Sequence, residues 1–381
     1  MKALIAMSGG VDSSVAAKLT QAEGYDCIGC TMKLFEQPPG EEPAPEASRT
    51  CCSLDDAEDA RSVASRLGMP FYVFNYQEEF RRCVMEPFIE DYVNGRTPNP
   101  CINCNRDLKF GKLLERARQL DCDCVVTGHY ARIQKDPQTG KYLLKKGLDP
   151  SKDQSYVLYN LTQDQLAHVR MPLGELEKTH VREIAEEDGF VNANKPDSQD
   201  ICFVPGGDYA GMIRRYTGKD FPPGEFVDLE GNHMGTHKGI IHYTIGQTRR
   251  LGQAFGRPRY VCRIDAASNR IWLGGPDDVY SSYAKAGDFN WISGQVPEGE
   301  VRCKVRTRYK QKEQWATVRP LAERGGTEGT PGRLAAEIFF DQPQRAITPG
   351  QAAVLYDGDT VLGGGTILQI PAGAEKTGGR T

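Results

Sequence analysis

The sequence predicts three parts in series: an α/β N-terminal domain on a doubly wound parallel sheet, a small central α+β domain, and a C-terminal β-barrel. Three observations carry this. Short apolar strands alternate with helical patterns from Lys2 to Thr127, as in a parallel sheet covered on both faces. After about Pro205, glycine and proline become dense and short strands replace long helices. From about Tyr280 the segments are short and β-rich, with turn residues such as Asp357-Gly358-Asp359 between them. A length of 381 residues suits two or three domains, at about 150 residues each. The expected boundaries are 1–205, 206–279 and 280–370, with a disordered tail at 371–381.

The elements follow in chain order. Lys2 to Met7 is a short apolar strand, and Ser13 to Glu23 is a helix ended by Gly24, which readily adopts the left-handed conformation past a helix C-terminus. Tyr25 to Leu34 gives a second strand. Leu54 to Leu67 gives a second helix, with Ser53 as N-cap and Gly68-Met69-Pro70 as its stop. Phe71 to Asn75 is a third strand. Helices are expected over Glu78 to Val93 and Asp107 to Leu120, then a strand over Asp123 to Thr127. Tyr130 to Lys135 and Lys141 to Lys146, joined around Pro137 and Gly140, read as a hairpin. Helices follow near Thr162 to Val169, Thr179 to Asp188 and Asp208 to Tyr216. The barrel strands are Val301 to Tyr309, Gln314 to Val318, Leu334 to Asp341, Ala352 to Tyr356 and Thr360 to Leu368. Glu36 to Thr50, rich in proline and glutamate, reads as a mobile insertion, and Pro371 to Thr381 as the tail.

Composition excludes several classes. Hydrophobic residues at 39% and charged residues at 26% are close to the soluble globular average, which excludes wholesale disorder and fibres. Lys+Arg 47 against Asp+Glu 51 leaves a net charge of −4, so any basic surface must be local. The apolar run from Met1 ends at Ser8, too short for a signal-peptide core, and no run of about 18 apolar residues occurs. The expectation is a cytoplasmic chain that meets no membrane. There, 12 cysteines point to thiol chemistry or metal ligation, with several of them ordinary buried hydrophobes.

Ser8-Gly9-Gly10-Val11-Asp12-Ser13-Ser14 joins the first strand to the first helix, where backbone N–H groups and the helix dipole favour an anion. The glycines permit close approach of a phosphate, and the Ser13 and Ser14 hydroxyls are candidate donors. No G-x-x-x-x-G-K-[ST] pattern occurs here, so the lysine of that class is missing. The segment resembles the pyrophosphate loop of the N-type ATP pyrophosphatases, which cleave ATP between the α- and β-phosphates. That resemblance implies ATP, adenylation of an oxygen, and Mg²⁺ held in part by Asp12.

Cys101-Ile102-Asn103-Cys104 follows Pro98-Asn99-Pro100 as a proline-bounded turn before a helix, a place that drives a thiol toward thiolate. Cys202, in Asp197-Ser198-Gln199-Asp200-Ile201-Cys202-Phe203, joins them only if the fold brings it close. Cys27 and Cys30 share the same spacing but lie in a buried strand. Cys122 and Cys124 occupy a core strand, Cys83, Cys262 and Cys303 read as core, and Cys51-Cys52 flank the insertion.

Longer blocks are more specific: Gly95-Arg96-Thr97-Pro98-Asn99-Pro100, Cys104-Asn105, Thr127-Gly128-His129-Tyr130, Lys152-Asp153-Gln154-Ser155-Tyr156, Ile201-Cys202-Phe203, Tyr243-Thr244-Ile245-Gly246-Gln247, Thr307-Arg308-Tyr309 and Thr348-Pro349-Gly350-Gln351. With the phosphate loop, they resemble the bacterial tRNA-specific 2-thiouridylases as far as about Leu368. The resemblance implies an adenine nucleotide alpha-hydrolase-like first domain and a tRNA-binding barrel. It implies a tRNA-uridine 2-sulfurtransferase, which replaces the C2 oxygen of the wobble uridine with sulfur and yields AMP and diphosphate. The C2 carbonyl is a poor electrophile, so its oxygen is adenylated before a persulfide displaces AMP.

By the same resemblance Cys202 carries the persulfide, and Cys104 releases the sulfur and closes a disulfide with Cys202. ATP contacts fall on Ala6, Met7, Ser8, Gly9, Gly10, Val11, Asp12, Ser13, Met32 and Gly128. tRNA contacts fall on Asn99, Pro100, Cys101, His129, Lys152, Asp153, Gln154, Arg308, Tyr309 and Gln351. The implied partners are tRNA with a wobble uridine and a sulfur donor such as a cysteine desulfurase or sulfur-relay protein, and the chain is expected to be a monomer. Many family members have Asp where this chain has Cys101. Cys101, Cys104 and Cys202 therefore also match the ligand set of a 4Fe-4S cluster with one open iron, so persulfide and cluster both remain open.

Read independently, Arg302, Lys304, Arg306, Arg308, Lys310 and Lys312 alternate, which on one strand would put six cations on a single face as a salt-sensitive RNA stripe. His233, His237 and His242 lack the spacing of a metal site. Two other functions compete: another adenylating amidotransferase or ligase, and a non-catalytic iron–sulfur sensor that binds RNA.

Overall fold

A computed structural model describes residues 1–35, 54–197, 201–322 and 334–368. The insertion at Glu36 to Thr50, Cys51-Cys52, the Ser53 cap and the tail at Pro371 to Thr381 lie outside the described residues.

The first sheet is built around β1 (Lys2–Ala6), whose apolar residues are buried on both faces. The chain passes through α1 (Val11–Ala22) to β2 (Asp26–Lys33), then through α2 (Leu54–Arg66) to β3 (Phe71–Asn75), moving outward on one side of β1. A helical excursion follows: α3 (Gln77–Phe80), a π turn at Arg81–Met85, α4 (Glu86–Val93), α5 (Pro100–Asn103), a π segment at Cys104–Lys112 and α6 (Leu113–Gln119). β4 (Cys124–Val126) then pairs with β1 on its other side. All pairings are parallel, and the order is β3-β2-β1-β4-β7, with β7 at Val169–Arg170. Strand order reverses at β1 and β4, so their carboxyl ends frame the crevice in which such sheets bind ligands.

The helix expected from Asp107 begins at Pro100 instead. Asn99 is its cap, its side chain accepting from the Cys101 N–H at 3.2 Å, and Pro100 supplies a preset φ at the first position. Cys101 and Cys104 thus lie within the helix rather than in a turn before it. The expected helix near Thr162 to Val169 ends earlier. α7 (Gln163–Ala167) is closed at its start by a reciprocal Thr162/Gln165 capping box, and Val169 belongs to β7.

The hairpin forms as β5 (Ala131–Lys135) and β6 (Tyr142–Lys146). α8 (Lys178–Glu187) and α9 (Tyr209–Thr217) follow, the latter capped by Asp208. A four-stranded sheet comes next, ordered β10-β11-β8-β9, from β8 (Gly224–Val227), β9 (His233–His237), β10 (Tyr260–Asp265) and β11 (Arg270–Gly274).

The last sheet contains β12 (Tyr280–Trp291), β13 (Val301–Arg306), β14 (Gln314–Ala322), β15 (Leu334–Arg345), β16 (Ala352–Asp357) and β17 (Thr360–Ile367). Its order β12-β15-β14-β13-β16-β17 closes through β12–β17 pairing, which removes the open edges. β6 pairs with β17 at Thr360↔Lys145 and Val361↔Leu144, so the early hairpin extends the barrel sheet. β12 escaped the sequence reading because its aromatic residues are interspersed with Ser, Ala, Gly, Asp and Asn rather than set in an apolar alternation. Its ladders to β15 and β17 override weak intrinsic preference.

β13 ends at Arg306, which corrects the six-cation stripe: Arg308, Lys310 and Lys312 lie beyond the strand. Of the three on β13, Arg302 is paired with Asp341, and Arg306 with Asp153 and Glu313, while Lys304 lies 5.4 Å from the centre of the Trp315 ring. Among the described residues no helix is long and apolar enough to cross a membrane.

Candidate active site

The phosphate loop leaves β1 at the sheet crevice. Its start is tied to β2, with the Met7 N–H donating to the Cys30 carbonyl at 2.8 Å and the Thr31 hydroxyl donating to the Met7 carbonyl at 2.7 Å. Gly9 has φ +72°, and a Cβ there would lie 2.2 Å from the Asp56 carbonyl oxygen. Gly128, at the end of β4, sits against the loop: a Cβ would lie 2.7 Å from the Asp12 carbonyl carbon and 2.8 Å from the Ser13 nitrogen. Gly9 and Gly128 thus each allow a close backbone approach, Gly9 to Asp56 and Gly128 to Asp12 and Ser13, that a side chain would block.

The serines differ from expectation. Ser13 donates to the Gly10 carbonyl at 3.0 Å and accepts from the Ser8 N–H at 3.2 Å. Ser14 is fully buried, donates to Gly10 at 3.1 Å and accepts from the Asn192 amide at 2.9 Å, so its hydroxyl shapes the loop rather than facing an anion. Met7, Val11 and Met32 are buried, which leaves backbone atoms as their route to a nucleotide. Ser8, exposed, and Gly10, partly exposed, line the open side.

A second layer was not apparent in the sequence. Asn192 also donates to the Gly9 carbonyl at 2.9 Å, and the Lys195 ammonium reaches Gly9 at 3.2 Å, Asp56 at 2.6 Å and Asp59 at 2.7 Å. Burial opposes the Lys195 charge, but the two carboxylates outweigh it and raise its pKa. Asp12 accepts from the Tyr130 hydroxyl at 2.7 Å and the Lys178 ammonium at 2.6 Å. Lys178, buried on α8, also reaches Asp197 at 2.8 Å, and Asp197 takes Lys152 at 2.9 Å and Arg182 at 3.4 Å. Burial works against the Asp197 charge, yet Lys178 and Lys152 hold its carboxyl below the ordinary value. Burial, then Asp12, pushes the Tyr130 phenol well above its usual range. Nothing in the local spacing of Asn192, Lys195 and Lys178 marks them, since the fold alone brings them to the loop.

The thiols separate into two environments. Cys101 is exposed in the first turn of α5. It is near enough to Tyr309 that it adds to the rise in that phenol's pKa, after burial and Asp153. Cys104 and Cys202 are partly buried and pack against one hydrophobic cluster, where Phe203 meets Phe80 and Phe88 edge-on at 5.5 and 5.2 Å. Both are thiols here and no disulfide joins them; the expected pairing during sulfur release would need their Cα atoms within about 7 Å and matched Cβ directions. The other described cysteines behave as structural groups, with burial raising Cys27 and Cys124 to about 11 and Cys303 to about 12.

Several of the residues expected to contact RNA are committed to protein contacts. His129 is buried, hydrogen-bonded through Nδ1 to the Thr127 hydroxyl at 2.8 Å, and kept neutral by burial and then Lys109. Pro100 and Asp153 are buried, and Asp153 accepts from the Gly147 N–H at 3.1 Å, the Ser155 hydroxyl at 3.0 Å and Arg306 at 3.2 Å. Gln154 accepts from the Tyr130 N–H at 3.0 Å, and Tyr309 donates to the Asp153 carbonyl at 3.1 Å. Gln351 donates to the Thr97 carbonyl at 2.7 Å. Arg308 donates to the carbonyls of Ile245 at 3.2 Å and Ala346 at 2.9 Å, and to the Thr348 hydroxyl at 2.7 Å. Asn99, Cys101, Lys152 and Tyr309 keep exposed surface.

The implied cofactors fit unequally. Asp12 is a partly exposed carboxylate at the phosphate loop and suits one ligand position on Mg²⁺, with phosphate oxygens supplying others. Among the described residues no group of three or more His, Cys, Asp or Glu could hold a metal ion. Cys101, Cys104 and Cys202 do not converge as a cluster's ligands: Cys101 faces the Tyr309 side while the other two enter the core.

Comparison with known proteins gives consistent results. Residues 1–206 match a family model described as a tRNA methyl transferase HUP domain, 211–275 a tRNA methyl transferase PRC-barrel domain, and 281–367 an aminomethyltransferase beta-barrel domain. The chain is 48% identical over 366 residues to the tRNA-specific 2-thiouridylase MnmA of Clostridioides difficile (strain 630), covering 96% of this chain and 98% of that one. It is 49% identical over 366 residues to tRNA-specific 2-thiouridylase MnmA 2 of Caldanaerobacter subterraneus subsp. tengcongensis, covering 96% and 97%. A solved 4-thiouridine synthetase–RNA complex with bound ATP is a distant likeness, 20% identical over 53% of this chain and 44% of its own, with a TM-score of 0.34.

Proposed function

The chain belongs to the tRNA-specific 2-thiouridylase family, and we propose that it replaces the C2 oxygen of a tRNA wobble uridine with sulfur at the expense of ATP. The observation that carries this reading is the placement of the phosphate loop at the sheet crevice, with Cys104 and Cys202 packed on one shared cluster in the same part of the chain.

In this reading residues 1–205 adenylate and transfer sulfur, 280–370 hold RNA, and 206–279 brace the two. The loop from Ala6 to Ser13 receives the phosphates on its backbone N–H groups, Asp12 would hold Mg²⁺, which would supply neutralisation of phosphate charge, and Met32 and Gly128 border the nucleotide. The C2 oxygen attacks the α-phosphorus, diphosphate leaves, and C2 gains AMP as a leaving group. The terminal sulfur of a Cys202 persulfide attacks C2 and AMP departs. The Cys104 thiolate then attacks Cys202 Sγ, forming a Cys104–Cys202 disulfide as the sulfur on C2 leaves, and two equivalents of an external thiol reduce that disulfide to the dithiol while becoming a disulfide themselves. Asn99, Pro100, Cys101, His129, Lys152, Asp153, Gln154, Arg308, Tyr309 and Gln351 shape the surface for the anticodon loop, some by direct contact and some, as Asp153 and Arg308 suggest, by holding their neighbours. A cysteine desulfurase or sulfur-relay protein supplies the sulfur, and the chain works as a cytoplasmic monomer.

Two family-model descriptions name methyl transfer, but the relatives' names and a phosphate loop made for ATP favour thiolation. An amidotransferase or ligase would not need the thiol pair. The test separates the half-reactions: Cys202→Ser should abolish 2-thiouridine formation while tRNA-dependent release of diphosphate from ATP persists. Loss of both would overturn the persulfide role.

A further inference from the structure

Asp197 stands five residues before Cys202 and shares its cations with two other places. Lys178 spans Asp12 on the phosphate loop at 2.6 Å and Asp197 at 2.8 Å. Lys152, a partly exposed residue of the proposed RNA surface, reaches Asp197 at 2.9 Å. The chain just upstream is pinned to the same loop, by Asn192 on Gly9 and Ser14 and by Lys195 on Gly9. Five residues reach at most about 17 Å when extended, so the Asp197 anchor bounds where the Cys202 thiol can travel.

We propose that Asp197 is a positioning residue that couples nucleotide at the phosphate loop to the placement of Cys202. The inference rests on the reading of that loop as an ATP site. A magnesium nucleotide brings a dication to Asp12 and anionic oxygens to its neighbourhood. The dication repels the Lys178 ammonium from Asp12 while the phosphates attract it, so Lys178 exchanges Asp197 for phosphate oxygens. An RNA phosphate near Lys152 draws away a second cation. Nucleotide alone leaves Asp197 with Lys152 and the longer Arg182 contact at 3.4 Å, which already loosens the hold on Cys202; RNA then removes Lys152 as well, and Cys202 is freed toward the adenylated base. With neither filled, Lys178 and Lys152 hold Asp197, and the thiol is kept on its hydrophobic cluster.

The experiment uses the full chain and a nucleotide whose α,β bond cannot be cleaved, Mg²⁺ with α,β-methylene ATP. Its binding is measured by calorimetry, and the rate of Cys202 carbamidomethylation by mass spectrometry of the Cys202 peptide. In the unaltered chain the nucleotide should raise the Cys202 rate about fivefold, the upper end of what one solvent-screened ion pair contributes. In Asp197→Asn the rate should already be high without nucleotide and respond less than twofold, while nucleotide still binds. Asp197→Glu should restore the response, which a merely structural defect would not do. If Asp197→Asn does not fold, Lys152→Gln reads the same bridge from its other partner and should raise the nucleotide-free rate. Nucleotide that binds without changing the Cys202 rate, or a full response in Asp197→Asn, overturns the inference and leaves the ATP site standing. Nucleotide that does not bind overturns the ATP site and the inference with it.

Discussion

The phosphate loop and the junction around Thr97 are both fixed by hydrogen bonds, but they are built in opposite ways. The loop is one contiguous run from the end of β1 into α1, met at close quarters by the Asp56 and Gly128 backbones and braced from outside by Asn192, Lys195, Tyr130 and Lys178. The junction takes Thr97 just before α5, Thr244 and Ile245 from the middle region, and Arg308, Ala346, Thr348, Pro349 and Gln351 from the barrel region. The first depends on close approach, where an added carbon does the damage. The second depends on polar satisfaction, where a lost donor does it. A site made within one strand-to-helix crossover tolerates little volume, whereas one made between three parts tolerates little loss of hydrogen bonding.

Substitutions can break that contrast. Gly128→Val, whose Cβ would enter the Asp12 and Ser13 backbone, should lower ATP-dependent diphosphate release at least about 100-fold by displacing the loop by an ångström or so. Steady-state kinetics with tRNA would check it, and near-normal rates would separate Gly128 from the nucleotide site. Arg308→Ala, which strands the Ile245 carbonyl and leaves the Ala346 carbonyl to the Thr348 hydroxyl alone, should cost about 2 kcal/mol of stability. It should weaken tRNA binding and leave nucleotide affinity within about twofold, because the junction lies on separate elements from the loop. Chemical denaturation with parallel binding measurements reads both effects.

Acid sharpens the comparison from another side. Burial and then Lys109 hold His129 well below the ordinary value of 6.5, burial lowers His237, and burial, then Lys238 and Arg214, bring His242 to about 4. The unfolded chain therefore takes up protons first as pH falls through 6.5, so stability is full above that pH and declines between 6.5 and 4. Asp197, its pKa already lowered, stays ionised through that window. The midpoint of thermal unfolding should thus drop by a few degrees from pH 7.5 to 5.5, and by less in His129→Gln. A flat profile would contradict the buried-neutral assignment. Gln351→Ala, which removes one hydrogen bond to Thr97, should cost about 1 kcal/mol, visible as a small shift in denaturation midpoint.

What the sequence made legible follows the same division. β1, α1, β2, β3 and the hairpin were readable because apolar periodicity and turn residues are local, and the phosphate loop because all its parts are adjacent. Lys178, Asn192 and Lys195 were not, since nothing local distinguishes a lysine that will be buried between two aspartates from one on a solvated helix face. The start of α5 was set too late because the proline-bounded stretch reads as a turn, whereas Asn99 and Pro100 are a good cap and first residue. The six-cation stripe failed because alternation in sequence persists past Arg306 while the strand does not. Cys101, Cys104 and Cys202 stand out in the sequence by their motifs, but their partition between an exposed position on α5 and a shared core cluster is a property of packing.

The most direct test of the central claim is the stoichiometry of a single reaction: purified full-length chain, Mg²⁺, ATP, a persulfide donor and tRNA bearing a wobble uridine, analysed for 2-thiouridine, AMP and diphosphate. One AMP and one diphosphate should form for each 2-thiouridine, with all three appearing at least about 100-fold more slowly in the Gly128→Val chain. ADP with inorganic phosphate in place of AMP, or AMP released with no sulfur entering the tRNA under any donor, would contradict it.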